Sequence, residues 1–125
     1  MGLDMFMYAT KRDSIGSDGR EILGEHKEIG YWRKVRHIHN FFEKVYRDRG
    51  GEKIFNCIPL ELTAKDLDSL ERAIDTGKIR EYSQQGFFFG DGDFNSVDAK
   101  ETKETIKLAR DYMARGYSIE YDSWW

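Results

Sequence analysis

Apolar and polar positions follow two rhythms along this chain, and the changes between them mark its elements. Leu3 to Thr10, LDMFMYAT, sets Leu3, Met5, Met7 and Ala9 on one face of an extended segment and Asp4, Phe6 and Tyr8 on the other. Apolar side chains on both faces predict a strand central in its sheet. Lys11 to Glu28 is polar, carries Gly16, Gly19 and Gly24, and reads as a long loop holding a short strand near Glu21 to Leu23. Loops of that length are uncommon unless they function or move. From about Gly30 to Arg49 the rhythm is helical: Tyr31, Val35, Ile38, Phe42 and Val45 recur at spacings of 4, 3, 4 and 3, and Gly50-Gly51 supplies the stop.

Ile54 to Leu62 predicts a second strand, and Pro59, the only proline, points to an edge position or a bulge. Thr63-Ala-Lys-Asp66 approximates a capping box with Asp in place of Glu or Gln. The helix it opens buries Leu67, Leu70 and Ile74 and ends at Gly77. Gly86-Phe-Phe-Phe-Gly90 reads as a short third strand, and Asn95 or Ser96 starts a third helix that buries Ile106, Ala109, Tyr112 and Met113 and stops at Gly116. Tyr117 to Trp124 is the last strand, with Tyr117, Ile119 and Tyr121 on one face. The order β-α-β-α-β-α-β over residues 1–125 predicts a single α+β domain, three helices packed on a small, mainly antiparallel sheet of about four strands.

Composition changes this picture little. A chain of 125 residues buries roughly two-thirds of its unfolded surface, and 39% hydrophobic with 14% aromatic content is that of a folded globule. No apolar run reaches the length of a membrane span and no signal-peptide pattern opens the chain. With Cys57 the one cysteine, the expectation is a cytoplasmic, reducing setting. A net charge of −3 argues against an overall nucleic-acid binder and is too small for a mimic of DNA.

The charge is unevenly spread. From Tyr31 to Arg49 six bases face only Glu43 and Asp48, whereas from Glu61 onward 14 acids face 9 bases. Such a dipolar surface can steer a charged partner. It also arises when one basic and two acidic helices simply lie side by side.

Five short motifs occur in order: the GLDM-aromatic start, Tyr31-Trp32-Arg33-Lys34, Ile38-His39-Asn40-Phe41-Phe42, Gly86-Phe87-Phe88-Phe89-Gly90, and the closing Tyr121-Asp122-Ser123-Trp124. In these the sequence resembles a family of small proteins of tailed bacteriophages and bacterial prophages that begin GLDMYL and end in Tyr-x-Ser-Ser-Trp. Asp122 and Trp125 alter the usual ending, and the acids after Gly90 replace the family's Ser-Thr and tyrosine. The resemblance implies a phage setting in a bacterial host and a compact fold. It hands over no catalytic residues.

Candidate sites are few. His37 and His39 are spaced by two, which on a helix sets them about 200° apart and so cannot serve one metal ion. Trp32, Arg33, Arg36 and His39 share a helix flank that could stack on a base and hold phosphate; the alternative is that Trp32 packs on the sheet while the bases are solvated. Asp4, on an apolar strand, needs a partner if buried, with Arg33, Lys34, Tyr121 and Ser123 as options. With His39 and Tyr121 it could instead form the polar floor of a pocket. Asp91-Gly-Asp93-Phe-Asn95 begins like a calcium loop but has Ser96 where glycine is needed and Thr102 where glutamate is needed.

Cys57 is expected to be buried and inert. No phosphate loop, nucleophile elbow, zinc spacing or dinucleotide fingerprint occurs, so no cofactor is expected. Phe87 to Phe89 with Trp124 and Trp125 leave a partner surface or a homodimer open.

Three functions are compatible with these residues. The first is a non-enzymatic phage accessory protein that binds a host protein or protein–nucleic acid complex, for instance one that blocks a defence system such as CRISPR, with acids between Asp66 and Glu104 occupying a nucleic-acid channel. The second is a binder of a nucleotide or signalling molecule through the Trp32 flank. The third is a small hydrolase or transferase using Asp4 and His39.

Overall fold

The computed structural model describes residues 2–15, 21–82 and 94–125. Two strands, β1 (Asp4–Ile15) and β2 (Glu21–Arg33), precede the first helix, α1 (Arg36–Asp48). Then come β3 (Leu60–Leu62), α2 (Ala64–Thr76), a 3-10 helix (Lys78–Tyr82), α3 (Ser96–Ala114) and β4 (Ser118–Trp124). The strands form one sheet in the order β2-β1-β4-β3, antiparallel throughout. The chain is thus a small α+β fold of three α-helices on a four-stranded antiparallel sheet, with β1 central as its two-sided apolar content predicts.

The order of elements differs from the expected alternation. The described residues of the segment read as a loop continue the β1–β2 ladder as far as Ile15↔Glu21, with register shifts after Met7, Lys11 and Arg12. The backbone ladder, which needs no apolar rhythm, is what makes these residues strand. The expected helix start at Gly30 is likewise corrected. Tyr31, Trp32 and Arg33 pair with Phe6, Met5 and Asp4, and α1 begins only at Arg36. Lys34, at φ +59°, donates its N–H to the Leu3 carbonyl at 2.8 Å, and no helix runs through a left-handed residue.

The second strand contracts to Leu60–Leu62, directly after Pro59 and at the sheet edge. Cys57 lies outside it, exposed and at φ +59°, with its N–H on the Ser123 carbonyl. The Gly86 to Gly90 strand and the Asp91 and Asp93 positions lie outside the described residues.

The helices begin where the cap residues place them. Thr63 and Asp66 form a reciprocal capping box at α2, and Asn95 and Asp98 form a second at α3. Gly77, at φ +80°, closes α2 in the left-handed conformation that glycine adopts without strain.

The core lies between the helices and one face of the sheet. Leu3, and Met5, Met7 and Ala9 of the adjoining β1, are fully buried there with Ile38 and Phe42 of α1, Leu67 and Leu70 of α2, and Ile106 and Ala109 of α3. Gly30 lets α3 approach β2 closely, since a Cβ at that position would meet Thr105 Cγ2 at 2.6 Å. Trp32, inward on β2, is covered by α3 and donates its indole N–H to Thr102 Oγ1 at 3.0 Å.

Candidate functional site

Strand alternation sends Asp4, Phe6 and Tyr8 to the side of the sheet opposite that core, where no described helix lies. Register assembles the rest. Asp4 stands between Arg33 of β2 and Trp124 of β4, Phe6 between Tyr31 and Asp122, and Tyr8 between Glu28 and Glu120. Glu120 in turn faces Glu61 of β3. The result is a four-stranded surface on which aromatic rings and carboxylates interleave.

The rings form a continuous row. Phe6 lies 5.3 Å from Tyr31 and 5.9 Å from Tyr8, and Tyr8 stacks on His26 at 4.6 Å. Tyr31 donates its hydroxyl to Asp4 Oδ1 at 2.7 Å, with the Arg33 Nε at 3.9 Å from the same oxygen. Asp4 is therefore held by Tyr31 and Arg33, the second of which is among the partners considered for it. The hydrogen bond to Asp4 raises the Tyr31 hydroxyl above its usual pKa. Burial, followed by the charges of Glu28 and Asp122, raises that of Tyr8. Burial also raises the Asp122 carboxyl, while the Ser123 N–H it accepts opposes the shift.

Trp124 is 66% exposed and Tyr31 49%. The indole of Trp124 does not stand on a frayed end. Its neighbour Trp125 exchanges two hydrogen bonds with the Asn56 side chain, at 2.8 and 3.0 Å, and donates its indole N–H to the Phe55 carbonyl. The Cys57 N–H on Ser123 fixes the other side at 2.7 Å. An exposed tryptophan on a clamped backbone is a ready anchor for a partner, because little freedom remains to be lost.

Charge distinguishes this face from the helical layer. There several acids carry bases: Asp66 with Arg49, Asp68 and Glu71 with Arg110, Asp75 with Lys103, and Glu43 with Arg47. Four acids of the Asp66 to Glu104 region are thus neutralised in place, whereas Glu81, Asp98, Glu101 and Glu104 have no ion pair among the described residues. On the sheet face Glu28, Glu61, Glu120 and Asp122 have no ion pair among the described residues.

The remaining sequence candidates lie on the core side and are divided by the sheet. His39 is buried, its Nδ1 2.7 Å from the Tyr121 hydroxyl, and its ring packs among Phe55, Tyr121 and Trp125. Burial lowers its pKa to about 4, so it is neutral at pH 7, and the same desolvation raises Tyr121 well above its usual value. Asp4 cannot join them in a pocket floor or a catalytic pair, because β1 directs it to the opposite face.

The Trp32, Arg33, Arg36, His39 flank is corrected for the same reason. Trp32 and His39 are 4% and 2% exposed on the core side, Arg33 points the other way, and Arg36 is half-buried at the start of α1. His37 packs its ring edge on Phe94, away from His39. Among the described residues no group of histidine, cysteine and carboxylate side chains is placed to hold a metal. None of the described helices is long and apolar enough to cross a membrane.

Of the sequence candidates, the fold brings Asp4, Arg33 and Trp124 to one surface. Phe6, Tyr8, Tyr31, Glu28, Glu61, Glu120 and Asp122 join them without having been singled out. Only the outward alternation of Phe6 and Tyr8 announced this surface beforehand. Comparison with protein-family models, with curated proteins and with solved structures finds no match for this chain.

Proposed function

We propose that this chain is a non-enzymatic accessory protein of a phage or prophage that binds a macromolecule of its bacterial host. In this reading it works in the host cytoplasm and docks through the face of its sheet that no described helix covers. The phage setting rests on the five ordered motifs. The observation that carries the binding role is the row Tyr31, Phe6 and Tyr8 with the clamped, exposed Trp124 beside it. An aromatic row on a face that no described helix covers is the kind of patch that marks an interaction surface. Interference with a host defence complex, CRISPR systems included, is the role within this class that suits a small protein with a preformed docking face.

Photo-crosslinking in host lysate tests the reading. A benzophenone amino acid is placed at position 31 or 124, and at position 108 on the exposed side of α3 as the control. The expected result is one discrete adduct from 31 and 124 and none from 108. Adducts from 108 alone move the interface to the helices, and adducts from no position remove the binding role.

A further inference from the structure

The sheet face that no described helix covers is chemically one-sided among the described residues. It sets the carboxylates of Asp4, Glu28, Glu61, Glu120 and Asp122 against the guanidinium of Arg33, which already lies beside Asp4. The row Glu28, Tyr8, Glu120, Glu61 crosses all four strands and, among the described residues, holds no base. Within it Glu61 and Glu120 are direct cross-strand neighbours, an arrangement that opposes folding rather than supporting it. By contrast, Asp66, Asp68, Glu71 and Asp75 of the helical layer each lie against a base.

We infer that this face docks a lysine- or arginine-rich protein surface, with Trp124 as the apolar anchor and the Glu28, Glu61, Glu120 and Asp122 carboxylates receiving its charge. The inference rests on the reading that this sheet face is the docking surface, and it names the partner's chemistry. An incoming cation relieves the Glu61–Glu120 repulsion and finds ring faces beside the carboxylates, the combination that guanidinium and ammonium groups favour. The same charge argues against the other occupants. Nucleic-acid phosphates would meet carboxylates, and a second copy packed face to face would set this acidic row against its own image. A basic surface of the type that normally holds nucleic acid fits, so occupancy by this protein excludes the nucleic acid.

The test uses nona-arginine and nona-glutamate peptides as probes, titrated into the isotopically labelled chain at 50 and 500 mM salt and followed by amide chemical shifts. The expected outcome is that only the arginine peptide binds and that its shifts centre on Phe6, Tyr8, Asp122 and Trp124. Binding should weaken about tenfold in Glu61→Gln/Glu120→Gln, and as much in Trp124→Ala. It should also fade at the higher salt. The control Glu101→Gln/Glu104→Gln removes equal charge from exposed positions of α3 and should leave affinity unchanged. Equal weakening by that control, shifts centred on the helices, or no shifts at all would each overturn the inference. Crosslinks from position 124 to an acidic or neutral partner surface would also overturn it while leaving the docking face intact. Absence of crosslinks from both 31 and 124 removes the docking face itself.

Discussion

Lowering the pH probes His39 independently of anything the sheet face does. In the folded chain the ring is enclosed by Phe55, Tyr121 and Trp125, and its pKa falls from the usual 6.5 to about 4. The cause is desolvation, which disfavours the imidazolium. The unfolded chain, with the higher pKa, therefore binds the proton first as pH falls. Stability is fully present above about pH 6.5, declines between there and pH 4, and levels off below. A displacement of about 2.5 pKa units corresponds to a limit of about 3 kcal/mol, of which about 2 kcal/mol is expressed between pH 7 and 4.5.

Urea unfolding of the wild type and of His39→Gln at the two pH values isolates this contribution, because the carboxylate titrations are common to both proteins. His39→Gln should start less stable at pH 7, having lost ring packing, and then lose about 2 kcal/mol less than the wild type on acidification. Parallel losses in the two proteins would refute the argument that a neutral, desolvated imidazole is built into the core. Unchanged binding of the arginine peptide by His39→Gln at pH 7 would agree with a structural histidine.

Other consequences follow from the packing and the register. Trp32→Phe leaves Thr102 Oγ1 buried without its indole donor and should cost about 1–3 kcal/mol in urea unfolding, with no loss of binding through the sheet face. Glu61→Lys converts the like-charge pair with Glu120 into an attractive one and should stabilise the fold by about 0.2–1 kcal/mol in thermal unfolding, while weakening the arginine peptide. Asn56→Ala removes both hydrogen bonds to Trp125 and should raise amide exchange at Trp125 at least tenfold. Exchange as slow as in the wild type would mean that the clamp lies elsewhere.

Much of the fold is local enough to be legible in the residues. Thr63 with Asp66, and Asn95 ahead of Asp98, satisfy the first N–H groups of α2 and α3 from three positions away, so their sites of helix initiation need no distant partner. Ile38 and Phe42 keep the buried face of α1 that their spacing predicts, Gly77 ends α2, and the two-sided apolar run of Leu3 to Thr10 makes β1 a central strand. These features follow from the period of a helix or strand and the demands of its ends.

The stretch from Gly30 to Arg36 was decided by contacts with residues far along the chain. Tyr31 extends the 4-3-4-3 stripe and fits a helix when considered alone. Pairing of Tyr31 to Phe6 and Trp32 to Met5, with Trp32 covered by Thr102, draws it instead into β2. That one change places Trp32 in the core and Arg33 on the opposite side of the sheet. His39, carried by α1, remains with the core, and the helix flank is divided.

Beyond the alternation of Phe6 and Tyr8, the aromatic and acidic sheet face is likewise invisible to any local pattern. Glu28, Tyr8, Glu120 and Glu61 come from four separated segments, and only strand register lines them up. The amino-acid sequence by itself determined which residues begin α2 and α3, which face of each helix is apolar, and which side chains of β1 share a side. Tertiary structure alone decided which of those sides is covered and which residues meet across strands, because period and capping act within a few residues whereas register and burial are set by energies summed over the whole packed chain.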